Sequence, residues 1–194
     1  MPDRSERILL SLKKFDFLTR DQLQRLYRLG SVRNTNRVLS DLSEYLVSFR
    51  DGYQSIYYLS KAGKEYVQCQ KIRKKGNKAL HTVTRNEFWL FYGCPPEWKN
   101  EVKVSDGETT VIADALFNKS SQWYFLEVDL TQPMKENRSK IERYKRLYSN
   151  GALAEKLGHF PTLIWLTTTE MRRQQLNELC ESIPCIVFTT ADIQ

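Results

Sequence analysis

Residues 111–117, VIADALF, and 123–130, WYFLEVDL, are two strongly apolar runs interrupted by acids and joined by the polar segment 118–122, NKSSQ. Their length, their β-branched and aromatic content and the polar connection between them predict a β-hairpin. Strand side chains alternate between faces, so Trp123, Phe125, Glu127 and Asp129 share one face and Tyr124, Leu126, Val128 and Leu130 the other. Asp114 lies among Val111, Ile112, Ala113, Ala115, Leu116 and Phe117 in the partner strand. Each carboxylate inside such a hairpin costs several kcal/mol unless something compensates it. A divalent cation is one compensating partner, because hard oxygen ligands suit Mg²⁺ or Mn²⁺. The next segment, KENRSKIERYKRLY (135–148), reads as a basic amphipathic helix able to bring Lys140 toward those acids.

Charge divides the chain of 194 residues unevenly. Residues 1–80 hold 17 basic and 8 acidic residues, a balance of +9, and the remainder holds 13 and 15, a balance of −2. A basic front joined to a slightly acidic back points to a polyanion-binding module beside a different unit. Nucleic acid is the polyanion expected. No stretch has the apolar length of a membrane span, and the N-terminus lacks the apolar run of a signal peptide, so no membrane partner is expected. Cys69, Cys94, Cys180 and Cys185 form no CxxC pair and have no histidines at zinc-finger spacing, so they read as reduced cysteines of a cytoplasmic protein.

The front of the chain has the order of a winged helix-turn-helix. SERILLSLKKF predicts a helix capped by Ser5, the segment after Thr19 a second, and the segment after Ser31 a third. VSFRDGYQSIYYLS then reads as two strands around Asp51-Gly52, and KAGKEYVQCQKIRKK as a closing helix. In that arrangement the third helix lies in the major groove and the hairpin against the backbone of double-stranded DNA. Arg33, Asn34, Asn36 and Arg37 suit base edges and phosphates, with Arg50 on the hairpin. The plainer alternative is a solvated helix face. Domain boundaries follow: 1–72 a winged-helix domain, 73–79 a basic linker with Lys74 and Lys75 available to phosphates, and 80–194 a second domain.

That second domain reads as helix, three strands, helix, strand, helix, strand, which predicts a mixed α/β sheet flanked by helices. No GxxxxGK[ST] or GxGxxG run occurs, so no phosphate-binding loop is predicted. Asp on the second strand and Glu-x-Asp on the third resemble the PD-(D/E)xK restriction-endonuclease-like core. The resemblance implies Asp114 and Glu127 as metal ligands and Mg²⁺ or Mn²⁺ as cofactor if the site is active. Asp129 stands where that family usually has lysine; it is a candidate further ligand, and Lys140 the candidate substitute for the lysine.

With the winged helix in front, the pattern His81-x₄-Asn86, Asp114-Ala115, Glu127-Val-Asp129-x-Thr-Gln and a helix bearing Lys140 and Tyr144 resembles the replication-relaxation family of plasmid and mobile-element proteins. That family is similar to relaxases of the MobC type, whose nuclease-like domain nicks DNA at a transfer origin. The resemblance implies catalytic roles for Asp114, Glu127, Asp129 and Lys140, and family positions at His81, Asn86 and Tyr144. Residue by residue, plainer readings stand beside it: Asp114 as a turn cap or arginine partner, Lys140 paired with Glu136, Tyr144 as core packing. Two functions remain open, a metal-dependent DNA nickase and a non-catalytic regulator or replication accessory factor. In the second, the degenerate nuclease-like domain is a platform for DNA or for a second copy of the chain.

Overall fold

The two apolar runs do pair. In the computed structural model, which describes residues 4–76 and 78–193, β5 (Thr110–Lys119) and β6 (Gln122–Asp129) form an antiparallel hairpin closed at Lys119 and Gln122. Its two-residue loop, Ser120-Ser121, has φ 53° and 63°. Both values are positive, as the right-handed strand twist demands of a two-residue connection. β4 (Trp98–Ser105) flanks this hairpin on one side, and β7 (Thr162–Thr167) and β8 (Cys185–Thr189) on the other. β4 and β6 each run antiparallel to β5, whereas β6, β7 and β8 run parallel, giving the mixed five-stranded sheet that the element order predicts. β4 is longer than the alternating Val102 and Val104 suggest, because Trp98 pairs with Phe117 at its far end and stacks on it.

The parallel connections are helical, as parallel strands require. α6 (Met134–Asn150) and α7 (Ala152–Leu157) lead from β6 to β7, and α8 (Glu170–Cys180) leads from β7 to β8. The buried stripe of α6 is Asn137, Ile141, Tyr144 and Leu147. Ile141, Tyr144 and Leu147 enter one core with Phe125, Leu163, Trp165, Leu176 and Val187. Burying a side chain such as Phe125 contributes about 2–3 kcal/mol. These residues belong to a compact unit spanning 91–194; the other unit spans 1–90.

The first unit follows the expected order of three helices and a hairpin. α1 (Arg4–Phe15) already includes Ser5, so Ser5 sits in its first turn and is not its cap. α2 (Arg20–Tyr27) is capped by Thr19 in a full capping box with Gln22, and α3 (Val32–Asp41) by Ser31, both as expected. β2 (Leu46–Asp51) and β3 (Gln54–Leu59) form the hairpin, and the two-residue strand β1 (Leu18–Thr19) adds to its β3 edge. The closing helix is a correction. α4 (Lys61–Tyr66) spans six residues, not the whole of KAGKEYVQCQKIRKK, because Gln68 takes a left-handed φ of 53° and ends it. Gly63 inside α4 is required by close approach, since a Cβ there would lie 2.1 Å from Tyr45 O. α5 (Lys78–Phe91) then packs Ala79 and Val83 against Phe17 and Ile56. No helix among the described residues is long and apolar enough to cross a membrane.

Candidate functional site

The site starts from a split in the sheet. β5 and β6 pair from the hairpin loop only as far as Ala115 and Leu126. Beyond that, β6 stays paired to β7 up to Asp129 and Thr167, while β5 stays paired to β4. Asp114 is the first residue past the split. Its Oδ2 accepts a hydrogen bond from the Val128 N–H at 2.8 Å, replacing the lost backbone partner. Across β4 the ladder also lapses at Glu101, whose φ is 51°. The side-chain parity of β5 changes here: Val111 and Ala113 enter the core before Asp114, and Leu116 after it. Simple alternation along VIADALF therefore does not place Asp114.

Glu127 sits directly behind that split, 1% exposed. α6 supplies both of its side-chain partners. Lys140 Nζ forms an ion pair with Oε2, and the Tyr144 hydroxyl donates to Oε1 at 2.6 Å. Lys140 and Tyr144 are four residues apart, so one helix face delivers both. Burial, the largest influence, pushes the Glu127 carboxyl up to about 8, and the Asp114 charge pushes the same way; the attraction of Lys140 only partly offsets them. Burial and the neighbouring Glu127 raise the Tyr144 hydroxyl well above the ordinary tyrosine range, so it stays a neutral donor. The shifts of Glu127 and Tyr144 within this converging cluster make it the candidate functional site.

Asp129, expected in the same cluster, is held elsewhere. Arg172 on α8 grips it with two hydrogen bonds, Nε to Oδ2 at 2.7 Å and Nη2 to Oδ1 at 2.8 Å, and Thr167 donates to Oδ2 at 3.2 Å. The same guanidinium donates to Gln132 O at 2.6 Å, tying the connection between β6 and α6 to the sheet end. Among the described residues no group of three His, Cys, Asp or Glu side chains is placed to hold a metal ion. The structure thus brings together Asp114, Glu127, Lys140 and Tyr144.

Two residues of this site escape a sequence reading. Arg172 lies over forty positions from Asp129, and only the Thr-rich end of β7 just before it hints at a polar node. Asn137 is the second. It is completely buried on the stripe of Ile141 and Tyr144, and its Oδ1 has no hydrogen-bond partner among the described residues. An amide interrupting an otherwise apolar helical stripe is the signal that marks it.

The other predicted residues lie in the first unit. Asn86 is wholly buried and donates from Nδ2 to Phe15 O at 3.0 Å and Phe17 O at 2.7 Å, clamping the turn around Asp16, whose φ is 68°. His81 is half-buried on the same helix. On α3, Arg33, Asn36 and Arg37 are exposed. Asn34 is partly withdrawn: its amide donates to Leu29 O at 2.7 Å and its Oδ1 accepts from Arg37 at 3.0 Å. Arg50 is exposed on β2, and Lys74 and Lys75 are exposed beyond α4, with Lys75 Nζ 5.7 Å from the Phe49 ring centre.

Residues 9–163 match the family model described as replication-relaxation. No curated protein matches the sequence. Solved structures that match include the following two. Protein VC1899 from Vibrio cholerae has a TM-score of 0.37 at 14% identity, over 97% of this chain and 47% of that one. Restriction endonuclease FokI has a TM-score of 0.37 at 11% identity, over 97% of this chain and 43% of that one. The chain spans just under half the length of each.

Proposed function

The chain belongs to the replication-relaxation family, and we propose that it is a DNA-binding protein of a plasmid or other mobile element that nicks one strand at a Mg²⁺- or Mn²⁺-dependent centre. The observation that carries this reading is the convergence of Asp114, Glu127 and Lys140 where β5 and β6 part. On this reading the second unit is a nuclease-like core of the PD-(D/E)xK kind, with Lys140 supplied by α6 in place of the strand lysine. The first unit is a winged helix whose α3 enters the major groove, with Arg33, Asn36 and Arg37 facing DNA, Arg50 on the hairpin, and Lys74 and Lys75 on phosphates.

The donor set fits a divalent cation. Asp114 and Glu127 offer hard carboxylate oxygens, and each carboxylate has about four lone-pair sites. Lys140 and Tyr144 each take one oxygen of Glu127, and a carboxylate oxygen keeps a second lone pair beyond one such contact. Asp114 and Glu127 would hold the ion; Asp129, gripped by Arg172, supports the strand end. A bound ion would neutralise phosphate charge and lower the pKa of water for phosphodiester attack. The chain's own groups do the rest. Tyr144 fixes the Glu127 carboxyl, Asp114 is fixed by the Val128 N–H, and the Lys140 ammonium stands by the charge that develops on the phosphate oxygens.

A second reading has its own support. Asp129 stands where a lysine is usual and is neutralised by Arg172, and Lys140 already neutralises Glu127. Such a domain, closed on its own charges, serves a regulator or replication accessory factor that binds duplex DNA without cutting it. Supercoiled plasmid incubated with protein and Mg²⁺ or Mn²⁺ separates the two. Nicking lost in Glu127→Gln and Asp114→Asn marks the enzyme; shifted, uncut DNA with all three proteins marks the regulator.

A further inference from the structure

We propose that Asn137 is a third oxygen ligand, beside Asp114 and Glu127, of the divalent-cation site. The inference rests on the metal-dependent reading above and adds to it a residue that neither the family pattern nor carboxylate spacing picks out.

Asn137 is 0% exposed, and its Oδ1 finds no donor among the described residues. A buried carbonyl oxygen left without a partner carries the full desolvation cost of its lost water. An apolar side chain would fill the same stripe without that cost, as Ile141 and Leu147 do. The amide is therefore explained by a partner from outside the chain. Asn137 stands one turn before Lys140 and two turns before Tyr144, and both of those reach Glu127. Because α6 follows β6 after a short connection, the turn bearing Asn137 lies toward the strand end from those that bear Lys140 and Tyr144.

The chemistry of that outside partner follows from the charges around it. A group accepted by a carbonyl oxygen is a cation or a hydrogen-bond donor. Asp114 and Glu127 set two carboxylates against the single ammonium of Lys140, an excess of negative charge that favours a cation over another donor. Carbonyl oxygens of asparagine and carboxylates are the usual ligands of hard divalent ions. The Nδ2 of Asn137 lies 3.9 Å from Met134 Sδ, which leaves Oδ1 as the unpartnered atom of the amide. Two carboxylates and one amide oxygen make a three-oxygen set even though Asp129 is committed to Arg172.

Mn²⁺ binding to the full chain, followed by electron paramagnetic resonance and by calorimetry, tests this without reference to nicking. The variants are Asn137→Leu, which keeps the volume and removes the oxygen, Asn137→Asp and Glu127→Gln. We expect Asn137→Leu to weaken Mn²⁺ by at least about tenfold, Asn137→Asp to tighten it, and Glu127→Gln to abolish it. In EDTA, Asn137→Leu is expected to unfold at a higher temperature than the parent, because the orphaned oxygen is gone. Wild-type affinity in Asn137→Leu, with binding still lost in Glu127→Gln, overturns the role of Asn137 and leaves the metal reading standing. A lower unfolding midpoint of Asn137→Leu in EDTA with unchanged Mn²⁺ affinity identifies a buried water as the partner and overturns it too. No Mn²⁺ binding by the parent chain removes the metal reading and this proposal together.

Discussion

Arg172 and Asp129 form a bidentate pair, at 2.7 and 2.8 Å, in which the carboxylate is fully buried and the guanidinium side chain keeps 19% of its exposure. The pair joins the end of β6 to α8 and, through Gln132 O, to the connection that leads into α6. Removing one partner strands a buried charge, which is far more costly than removing both. Arg172→Ala is expected to lose about 3–5 kcal/mol of unfolding free energy, measured by urea denaturation. Arg172→Met combined with Asp129→Leu is expected to recover most of it. A double variant as unstable as the single one would show that the pair contributes more than mutual neutralisation.

Glu127 makes stability depend on pH in a direction opposite to that of ordinary paired carboxylates. Its folded pKa, about 8, lies above the unassociated value of 4.5. The folded state thus binds the proton more tightly, so the contribution is full below about pH 4.5 and is lost as pH rises through about 8. In EDTA the stability of the parent relative to Glu127→Gln is expected to fall across that window by on the order of 4 kcal/mol, and to level off above it. Urea titrations at half-unit pH steps read this directly. A difference that stays constant from pH 4.5 to 8 would mean that Glu127 does not titrate there.

Asn86 is expected to be a structural clamp, even though it occupies a position that the family pattern marks. Asn86→Ala leaves Phe15 O and Phe17 O without its two hydrogen bonds and opens a buried gap. The expected cost is about 2–4 kcal/mol, read by thermal unfolding of the full chain. DNA nicking per folded molecule is expected to be unchanged. Loss of nicking at full stability would give Asn86 a catalytic role.

Arg33 and Arg37 are expected to contact phosphates or base edges. Arg37 has an exposed i,i+4 partner in Asp41 at 3.5 Å, a weak tie that DNA displaces at little cost. Arg33→Ala with Arg37→Ala is expected to weaken duplex binding and lower the slope of log affinity against log salt by about two. Fluorescence anisotropy over a salt series measures both. An unchanged slope would take α3 off the DNA.

Much of the architecture was legible in local pattern, because local pattern is what makes it. Strand length and β-branched or aromatic apolar content mark β5, β6 and β7; Thr19 and Ser31 mark helix starts with side-chain hydroxyls that reach only three residues on. The convergence of Asp114, Glu127 and Lys140 was legible too, since strand pairing and the short return of α6 bring them close. Where local signals conflicted, they misled. The basic run after Lys61 reads as a long helix, yet Gln68 turns left-handed after six helical residues. Asp129 shares a face with Glu127 by alternation and still belongs to a different electrostatic partnership.

From the amino-acid order alone came the element sequence, the caps of α2 and α3, the acid-bearing hairpin and the uneven charge of the two halves. The tertiary structure alone decided that Asp129 meets Arg172. Alternation assigns a side chain to a face within one strand. A buried carboxylate, however, is compensated by whichever base the fold brings within about 3 Å, and Arg172 arrives from a helix four elements further on. The split between β5 and β6, the lapse opposite Asp114 and the orphaned amide of Asn137 likewise depend on how strands and helices close over one another, a property that no single segment carries.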